Sequence, residues 1–297
     1  MIQVDGLHKS YGSHKAVDGV GFEIARGETF GLLGPNGAGK TTTLSMLIGL
    51  LKPDEGTVSI DGEDPSTPAT RLRIGIAPQA LSLYEELSAE ENLRFFAQLY
   101  GYDGDRLKER VEWALEFSAL GDRRKDRATT FSGGMKRRLN MACAMIHEPD
   151  VILLDEPTVG VDPQSRNHIF ERIEELKAAG RTTIYTTHYM EAAQRLCDRV
   201  GIIDGGKILA IDTVQNLIRE HGGESLVEAQ LTSVPTDQSV LPGELDDHNK
   251  LSFSANEPLK QILELSQAGV DVATLEIKQP DLEGVFLNLT GRSLRDE

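Results

Sequence analysis

The residue types with the clearest chemical meaning stand in one short loop near the N-terminus. The loop follows the pattern glycine, four free positions, glycine, lysine, threonine, and its members are Gly34, Pro35, Asn36, Gly37, Ala38, Gly39, Lys40, Thr41 and Thr42. The glycines permit a backbone whose N–H groups converge on an anion. Lys40 adds a mobile positive charge, and the Thr41 hydroxyl can ligate a magnesium ion. The loop therefore predicts a site for a phosphorylated ligand.

A pair of acids, Asp155 and Glu156, directly follows the apolar run Val151–Leu154. Such a run is typical of a strand buried on both faces of a parallel sheet, and these sheets bind ligands at the carboxyl ends of their strands. Neighbouring strand residues project to opposite sides, so we expect separate roles for the two acids. One would hold magnesium, and the other would orient an attacking water or accept its proton. Without the loop, a solvated surface pair would be the better interpretation.

A third stretch joins glycines to cations at a predicted helix start. Ser132 is a favourable N-cap, but Gly133 and Gly134 each cost about 1 kcal/mol of helix stability relative to alanine. The three cations that follow, Lys136–Arg138, oppose the helix dipole. An anion docking at this helix start would account for both features. At least one of the cations is expected to belong to a solvated face.

The elements around these stretches predict an α/β framework. A strand at Glu28–Leu33 leads into the loop, and an apolar helix at Leu44–Leu51 follows it. Further apolar strands, such as Thr182–Thr186, alternate with helical patterns, which favours a mainly parallel sheet covered on both faces. The intervening residues, about 79–148, have helical periodicity and are predicted to form an inserted helical subdomain.

A second, smaller domain is predicted after His221–Gly223. Residues 1–223 would form the α/β core, with an N-terminal antiparallel β part, and residues 224–297 a small α+β domain. The latter contain 14 acids and 5 bases, and this acidic bias supports a separate unit. Its predicted strands are 225–232, 250–254 and 272–278, and its predicted helices are 259–267 and 281–289.

The bulk composition restricts the function further. The 297 residues carry a net charge of −16, which argues against a nucleic-acid-binding surface. Two distant cysteines, Cys143 and Cys197, suggest neither a disulfide framework nor a zinc motif. The N-terminus lacks the pattern of a signal peptide, and the apolar stretch Met46–Leu51 is too short to cross a bilayer. We expect a soluble chain that needs another polypeptide for any work at a membrane.

Together the motifs resemble those of the ATP-binding cassette (ABC) ATPases, a branch of the P-loop NTPases. Ser132–Gly134 stand 23 residues before Asp155, at the place of the family's signature motif, while Gly34–Thr42 and Val151–Glu156 correspond to its two nucleotide motifs. The resemblance covers about residues 1–220. It also gives family positions to four single residues, namely Tyr11 (adenine stacking), Gln79 (loop glutamine), Asp162 (aspartate loop) and His188 (switch histidine).

The resemblance implies a site shared between two chains. Two copies, or one copy and a homologous ATPase, would enclose two ATP molecules, each between Gly34–Thr42 of one chain and Ser132–Gly134 of the other. Lys40 and the loop amides would hold the β- and γ-phosphates, Tyr11 would stack on adenine, and Asp162 would act across the dimer interface. ATP would close the dimer and hydrolysis would release it.

The resemblance also assigns the reacting groups. Thr41, Gln79 and Asp155 would organise Mg²⁺. Glu156 would be the general base, and His188 would contact the γ-phosphate. Gln79 and the helical subdomain would pass the state of the nucleotide to a membrane partner.

Departures from the common pattern indicate a branch. Met135 replaces the usual glutamine after the signature glycines, and a thioether is only a weak acceptor. The sequences Met135–Leu139 and Leu282–Arg292 look like those of type-2 ABC exporters, which export drugs, lipids, polysaccharides or sodium. This implies an integral-membrane permease as partner and a cytoplasmic, peripheral location at the inner face of the cell membrane.

Two other functions compete with this interpretation. A soluble ABC ATPase of translation or DNA repair would usually carry two cassettes or long coiled-coil insertions, and this chain has neither. A nucleotide-gated module would use residues 224–297 as its working end. We prefer to interpret that domain as an appendage that stabilises the dimer, because tail domains without motifs are commonly structural.

Overall fold

A computed structural model describes residues 1–235 and 238–291, which fall into two compact units. The first is Met1–Val214 and the second begins at Gln215. The boundary lies nine residues before the one expected at Gly223. The reason is that the helix ending at His221 belongs with the second unit, where the His221 carbonyl accepts a hydrogen bond from Asn288 Nδ2 at 2.8 Å.

The first unit alternates strands and helices along most of its length. Its strands are β1 (Ile2–Tyr11), β2 (His14–Ile24), β3 (Thr29–Leu33), β4 (Glu55–Ile60), β5 (Ile74–Ala77), β6 (Val151–Asp155), β7 (Thr182–Thr187), β8 (Arg199–Asp204) and β9 (Lys207–Asp212). Its helices are α1 (Lys40–Leu47), α2 (Pro68–Arg71), α3 (Ala89–Leu99), α4 (Gly104–Phe117), α5 (Gly133–Met145), α6 (Pro163–Ala178) and α7 (Met190–Leu196).

A mainly parallel sheet with strand order β5-β6-β7-β3-β8-β9 forms the centre of this unit. All residues of β3 and β6 are buried, as expected for strands covered on both faces. Since β7 pairs in parallel with both of them, the carboxyl ends of β3, β6 and β7 meet at one edge. The phosphate loop follows β3, the acids end β6, and His188 follows β7. The fold thus brings three distant stretches together.

The remaining parts of the first unit support this edge. An antiparallel sheet of order β2-β1-β4 confirms the predicted N-terminal β part, and Phe22 stacks on Phe30 at 5.0 Å between ring centroids. The helices α3, α4 and α5 lie within residues 79–148, as the helical periodicity predicts. The helix α3 starts with a capping box between Ser88 and Glu91. Nowhere in the described chain is a helix long and apolar enough to cross a membrane.

The second unit is an antiparallel sheet with helices. Its core joins Val227 and Ala229 to Leu251, Phe253 and Leu265. The strand order is β11-β12-β10-β13, and the short strand β11 is a finding that the sequence did not predict. Its strands are β10 (Ser225–Leu231), β11 (Glu244–Leu245), β12 (Lys250–Ala255) and β13 (Val272–Lys278), and its helices are α8 (Val214–His221), α9 (Pro258–Gln267) and α10 (Leu282–Thr290).

Candidate active site

The phosphate loop is held by close backbone packing. A Cβ atom on Gly34 would overlap the carbonyl oxygen of Ile203 at the end of β8. A Cβ atom on Gly39, whose φ is 101°, would overlap the carbonyl oxygen of Ala16 in β2. Only glycine allows such close approach, and only glycine adopts this φ without strain. These two positions therefore fix the path of the loop between β3 and α1.

The helix α1 begins directly at Lys40 and leaves its first turn available. Its N-cap is Gly39, and no side chain caps it. The first N–H groups of a helix lack partners inside the helix, and they carry the positive end of the helix dipole. An anion in front of α1 would satisfy both needs.

Lys40 lies at the centre of the site. Its Nζ donates to the carbonyl oxygens of Gly34 at 2.7 Å and Pro35 at 3.0 Å. It also forms an ion pair with Glu156 Oε1 at 3.1 Å, and both side chains are only 5% exposed. A buried charge needs this degree of compensation, because leaving one partner unpaired is strongly destabilising. The lysine is thus held at the mouth of the loop by groups that an anionic ligand can replace.

The two acids have different partners, although only Asp155 belongs to β6 and Glu156 follows it with a left-handed backbone. Asp155 accepts hydrogen bonds from Thr41 Oγ1 at 3.1 Å and Thr186 Oγ1 at 2.6 Å. Glu156 contacts Gln79 Nε2 at 3.3 Å and His188 Nδ1 at 3.3 Å, in addition to Lys40. The two roles expected for the pair therefore have separate surroundings.

Thr186 is a site residue that the sequence did not reveal. Its hydroxyl donates to Asp155 and accepts from the backbone N–H of Glu156 at 3.0 Å. The backbone of Glu156 has φ 47°, a left-handed conformation that is uncommon for a residue with a side chain. Thr186 holds that conformation from the next strand. A polar residue near the end of a buried strand was the only available signal.

A cavity of about 320 Å³ opens in front of the loop. It is lined by Tyr11, His14, Ala16, Asn36, Gly37, Gly39, Lys40, Thr41, Thr42, Gln79 and Glu156. Tyr11 is one of these residues, and its side chain is exposed. His14, which pairs with Tyr11 across the β1–β2 turn, was not predicted. A larger cavity of about 510 Å³ beside β4 contains none of the predicted site residues, so we assign the site by chemistry and not by size.

The signature residues Ser132–Gly134 do not line this cavity. Ser132 caps α5, its Oγ accepting from the backbone N–H of Met135 at 3.2 Å. Gly134 packs against the start of α6, where a Cβ atom would overlap Ser165 Oγ and crowd Asp162. Asp162 caps α6 by accepting from the Ser165 N–H at 2.9 Å, and this hydrogen bond lowers the pKa of its carboxyl group. One chain therefore presents these groups together, away from its own phosphate loop.

The cations beside the signature each have partners within the chain. Lys136 pairs with Glu85 at 2.8 Å. Arg137 donates to the carbonyl oxygens of Pro78 and Gln79, and Arg138 donates to that of Ser118. This corrects the expectation that the cations help to explain anion docking. Any anion at the start of α5 would meet backbone N–H groups instead.

The donor set suits a magnesium ion. The Thr41 hydroxyl and the Asp155 carboxylate are already adjacent, and hard oxygen ligands of this kind fit Mg²⁺. Gln79 adds an amide that lines the same cavity. Within residues 1–235 and 238–291, no cluster of three or more His, Cys, Asp or Glu forms a complete metal site. Mg²⁺ is usually bound in proteins through one or two protein groups plus phosphate oxygens.

Comparison with known proteins identifies the family of the chain. Residues 17–159 match the family described as ABC transporter. The chain is 42% identical to the linearmycin resistance ATP-binding protein LnrL of Bacillus subtilis, over the full length of both. It is 39% identical to the Nod factor export ATP-binding protein I of Ralstonia nicotianae, over all of this chain and 95% of the relative.

A solved structure adds the dimeric form. With a TM-score of 0.66 and 26% identity, the fold resembles a dimeric ATP-binding cassette in a post-hydrolysis state bound to ADP and Pi. The match covers 72% of this chain and 98% of that one. The resemblance that the motif order predicts is confirmed: the chain belongs to the ABC transporter family of ATP-binding proteins, in its type-2 exporter branch.

Proposed function

We propose that this chain is the ATP-hydrolysing subunit of an exporter whose membrane-spanning permease is a separate polypeptide. The observation that carries the proposal is Glu156, buried at the mouth of the phosphate loop in contact with Lys40, Gln79 and His188. The two relatives are named for linearmycin resistance and Nod factor export, which supports export. They give no support to a function in translation or DNA repair.

Binding of ATP would begin when its phosphates replace Glu156 as the anionic partner of Lys40. The β- and γ-phosphates of ATP would occupy the free N–H groups at the start of α1, and Lys40 would exchange Glu156 for phosphate oxygens. The adenine ring would stack on Tyr11 at the rim of the cavity. Because Glu156 loses its ion pair in this step, binding would also free the general base.

Three residues would hold the metal. Mg²⁺ would be bound by Thr41 and Asp155, with Gln79 as a further ligand, and would neutralise charge on the transferred phosphoryl group. Thr186 keeps Asp155 oriented toward Thr41 by its 2.6 Å hydrogen bond. The orientation of Asp155 is thus fixed before the metal arrives.

Hydrolysis follows from the position of Glu156. Its carboxylate would take a proton from a water molecule as the water oxygen bonds to the γ-phosphorus. The bond between that phosphorus and the β–γ bridging oxygen breaks, and the products are ADP and inorganic phosphate. His188, which already contacts Glu156 through Nδ1, would contact the γ-phosphate and orient both groups.

A second copy would complete the site. Ser132–Gly134 lie outside the cavity of their own chain, and Asp162 lies beside them. In an ATP-bound dimer these groups would meet the nucleotide of the other chain, as the dimeric relative supports. A permease would place the pair in the cytoplasm at the inner face of the membrane and would select the substrate.

The direct test is the ATPase activity of Glu156→Gln. We expect the turnover rate to fall by about 100-fold or more, because the amide cannot accept the proton. Binding of a fluorescent ATP analogue should persist, since the phosphate loop is intact. As a control, Glu171→Gln removes an acid from the exposed side of α6 and should leave turnover unchanged. If Glu156→Gln hydrolyses ATP at the native rate, the assigned base is wrong.

A further inference from the structure

The outer strand of the second unit has an open edge. In the order β11-β12-β10-β13, β13 pairs with β10 on one side, and no strand of the described residues pairs with its other side. The opposite edge is protected by being only two residues long, whereas β13 has seven residues. Long open edges offer a row of N–H and C=O groups to another strand, and proteins normally cover or interrupt them.

Exposed apolar side chains accompany this edge. Leu275 of β13 is 41% exposed, and on α9 Leu259 is 72% and Leu263 is 58% exposed. Leu259 and Ile277 line one groove of about 470 Å³, and Leu263 lies one helical turn beyond Leu259. The helix α9 thus covers β10 and β12 but leaves the apolar face of β13 open. We refer to Leu259, Leu263, Leu275 and Ile277 as the β13 surface.

The strand β13 is complementary to itself. In an antiparallel pair with Leu275 on a two-fold axis, Leu275 opposes Leu275 and Ala273 opposes Ile277, so the face beside α9 is wholly apolar. On the other face, Thr274 opposes Glu276. Shifting the axis one residue toward the C-terminus would set Glu276 against Glu276, a destabilising pair of like charges. Shifting it one residue the other way would set Ile277 against Asp271, which places an acid in the apolar face. Shifting it by two would run the strand into Pro280, which has no N–H to donate.

We propose that β13 joins the β13 of a second copy, which makes one continuous eight-stranded sheet from two second units. The occupant is a second copy because the same strand supplies the free edge, the matching apolar face and a register without a like-charge clash. The inference goes beyond the ATPase function, since this contact requires neither nucleotide nor the phosphate loop.

The size and charge of the contact set its strength. Seven residues give an edge of about 24 Å, so the contact is small and associates weakly alone. The β13 contact becomes stronger if the same two chains also meet elsewhere, because the second contact raises the effective concentration of one β13 strand near the other. Residues 224–297 are net acidic, so two copies repel each other and added salt should strengthen their association.

Disulfide trapping in the full-length chain tests the contact. Opposed residues on paired strands have Cβ atoms about 4.5–5.5 Å apart, close enough for a disulfide after small adjustment. We therefore expect Leu275→Cys to give a covalent dimer under mild oxidation without nucleotide. Ala273→Cys is the matched control, because the two copies of residue 273 would lie about 13 Å apart along the strands. Both positions are exposed on the same strand face.

The native thiols provide a low background. Cys143 and Cys197 are buried, and burial raises the pKa of both, that of Cys197 to about 12. The wild-type chain should therefore remain uncrosslinked. Equal crosslinking of Leu275→Cys and Ala273→Cys, or none in either, would overturn the proposal.

Hydrogen exchange gives a test without any substitution. We expect the outward amides of β13 to exchange more slowly as the concentration of the wild-type chain rises. Slow exchange that does not depend on concentration would mean that the chain covers its own edge, which would refute pairing with a second copy. The ATPase proposal is tested separately by Glu156→Gln, so either proposal can fail while the other stands.

Discussion

The strands β6 and β13 show two opposite uses of an extended backbone. All residues of β6 are buried, it is paired on both sides, and its chemistry appears only at its end, where Asp155 and Glu156 emerge. Most residues of β13 are exposed, it is paired on one side, and its apolar face is open. Holding two carboxylates within hydrogen-bond distance of several partners requires a strand with no freedom. A strand that can meet another chain must instead keep one edge unpaired.

The largest loss is expected at Gly39, where the phosphate loop packs closely against β2. Gly39→Ala inserts a Cβ atom against the Ala16 carbonyl oxygen at φ 101°, so the phosphate loop must move. We expect ATP affinity to fall by about 100-fold, measured by titration with a fluorescent ATP analogue. The control is Gly37→Ala, where φ is also positive but nothing lies within 4 Å of the added atom. There only a strain of about 1 kcal/mol is expected. Equal losses would mean that conformation, not close packing, fixes the loop.

A smaller effect is expected one strand away, at Thr186. Thr186→Val keeps the shape but removes the hydrogen bonds to Asp155 and to the Glu156 N–H. Turnover should fall by about 10- to 100-fold, as for other residues that orient a metal ligand, with little change in KM for ATP. Thr183→Val on the same strand is the control. The Thr183 hydroxyl is buried and has no hydrogen-bond partner among residues 1–235 and 238–291, so its removal should raise stability by about 1 kcal/mol. If kcat/KM for ATP falls in both variants, the substitutions disturb β7 as a whole.

In the second unit, a buried and an exposed position of α9 are compared by their effect on the free energy of unfolding. Leu265→Ala removes a core side chain and should lower the free energy of unfolding by about 2–4 kcal/mol. Leu263→Ser alters an exposed position of the same helix and should change it by about 0.5 kcal/mol or less. Chemical denaturation of dilute protein measures both. A large effect of Leu263→Ser at low concentration would show that the β13 surface is covered within one chain.

The smallest effect on stability is expected at Glu228, which lies on β10, the strand that pairs with β13. Hydrogen bonds from Lys250 and then Lys278 lower the pKa of Glu228 from 4.5 to about 2. Because the folded pKa is the lower one, the stabilisation is present above pH 4.5 and disappears as the pH falls toward 2. Wild type should therefore be slightly more stable than Glu228→Gln at pH 7, and the gap should close between these values. A gap that persists at pH 2 would contradict this origin.

The motifs could be predicted because each lies within one stretch of chain. The loop Gly34–Thr42 and the pair Asp155 and Glu156 carry their chemistry in residue types and spacing alone. Thr186 and His14 could not be found in this way, since they reach the site through the pairing of β7 with β6 and of β1 with β2. Their role depends on register between distant strands, which local patterns do not encode.

The same difference between local patterns and long-range contacts explains where the structure departs from the sequence predictions. The cations Lys136–Arg138 appeared free in sequence because their acceptors, such as Glu85 and the carbonyl oxygen of Pro78, lie in other segments. The boundary predicted at Gly223 follows a glycine pair, whereas α8 is linked to α10 by the hydrogen bond from Asn288 Nδ2 to the His221 carbonyl oxygen. Elements with strong periodicity, such as α9 and β13, were placed to within one residue.

The close contact at Gly134 has a mechanical consequence. Because Gly134 has no side chain, the start of α5 lies directly against Ser165 and Asp162 at the start of α6. We therefore expect a displacement of Asp162 to be passed directly to Ser132–Gly134, because close packing leaves little room between them. A larger residue at position 134 would act as a spacer and break this transmission even if every nucleotide contact of the chain's own loop survived.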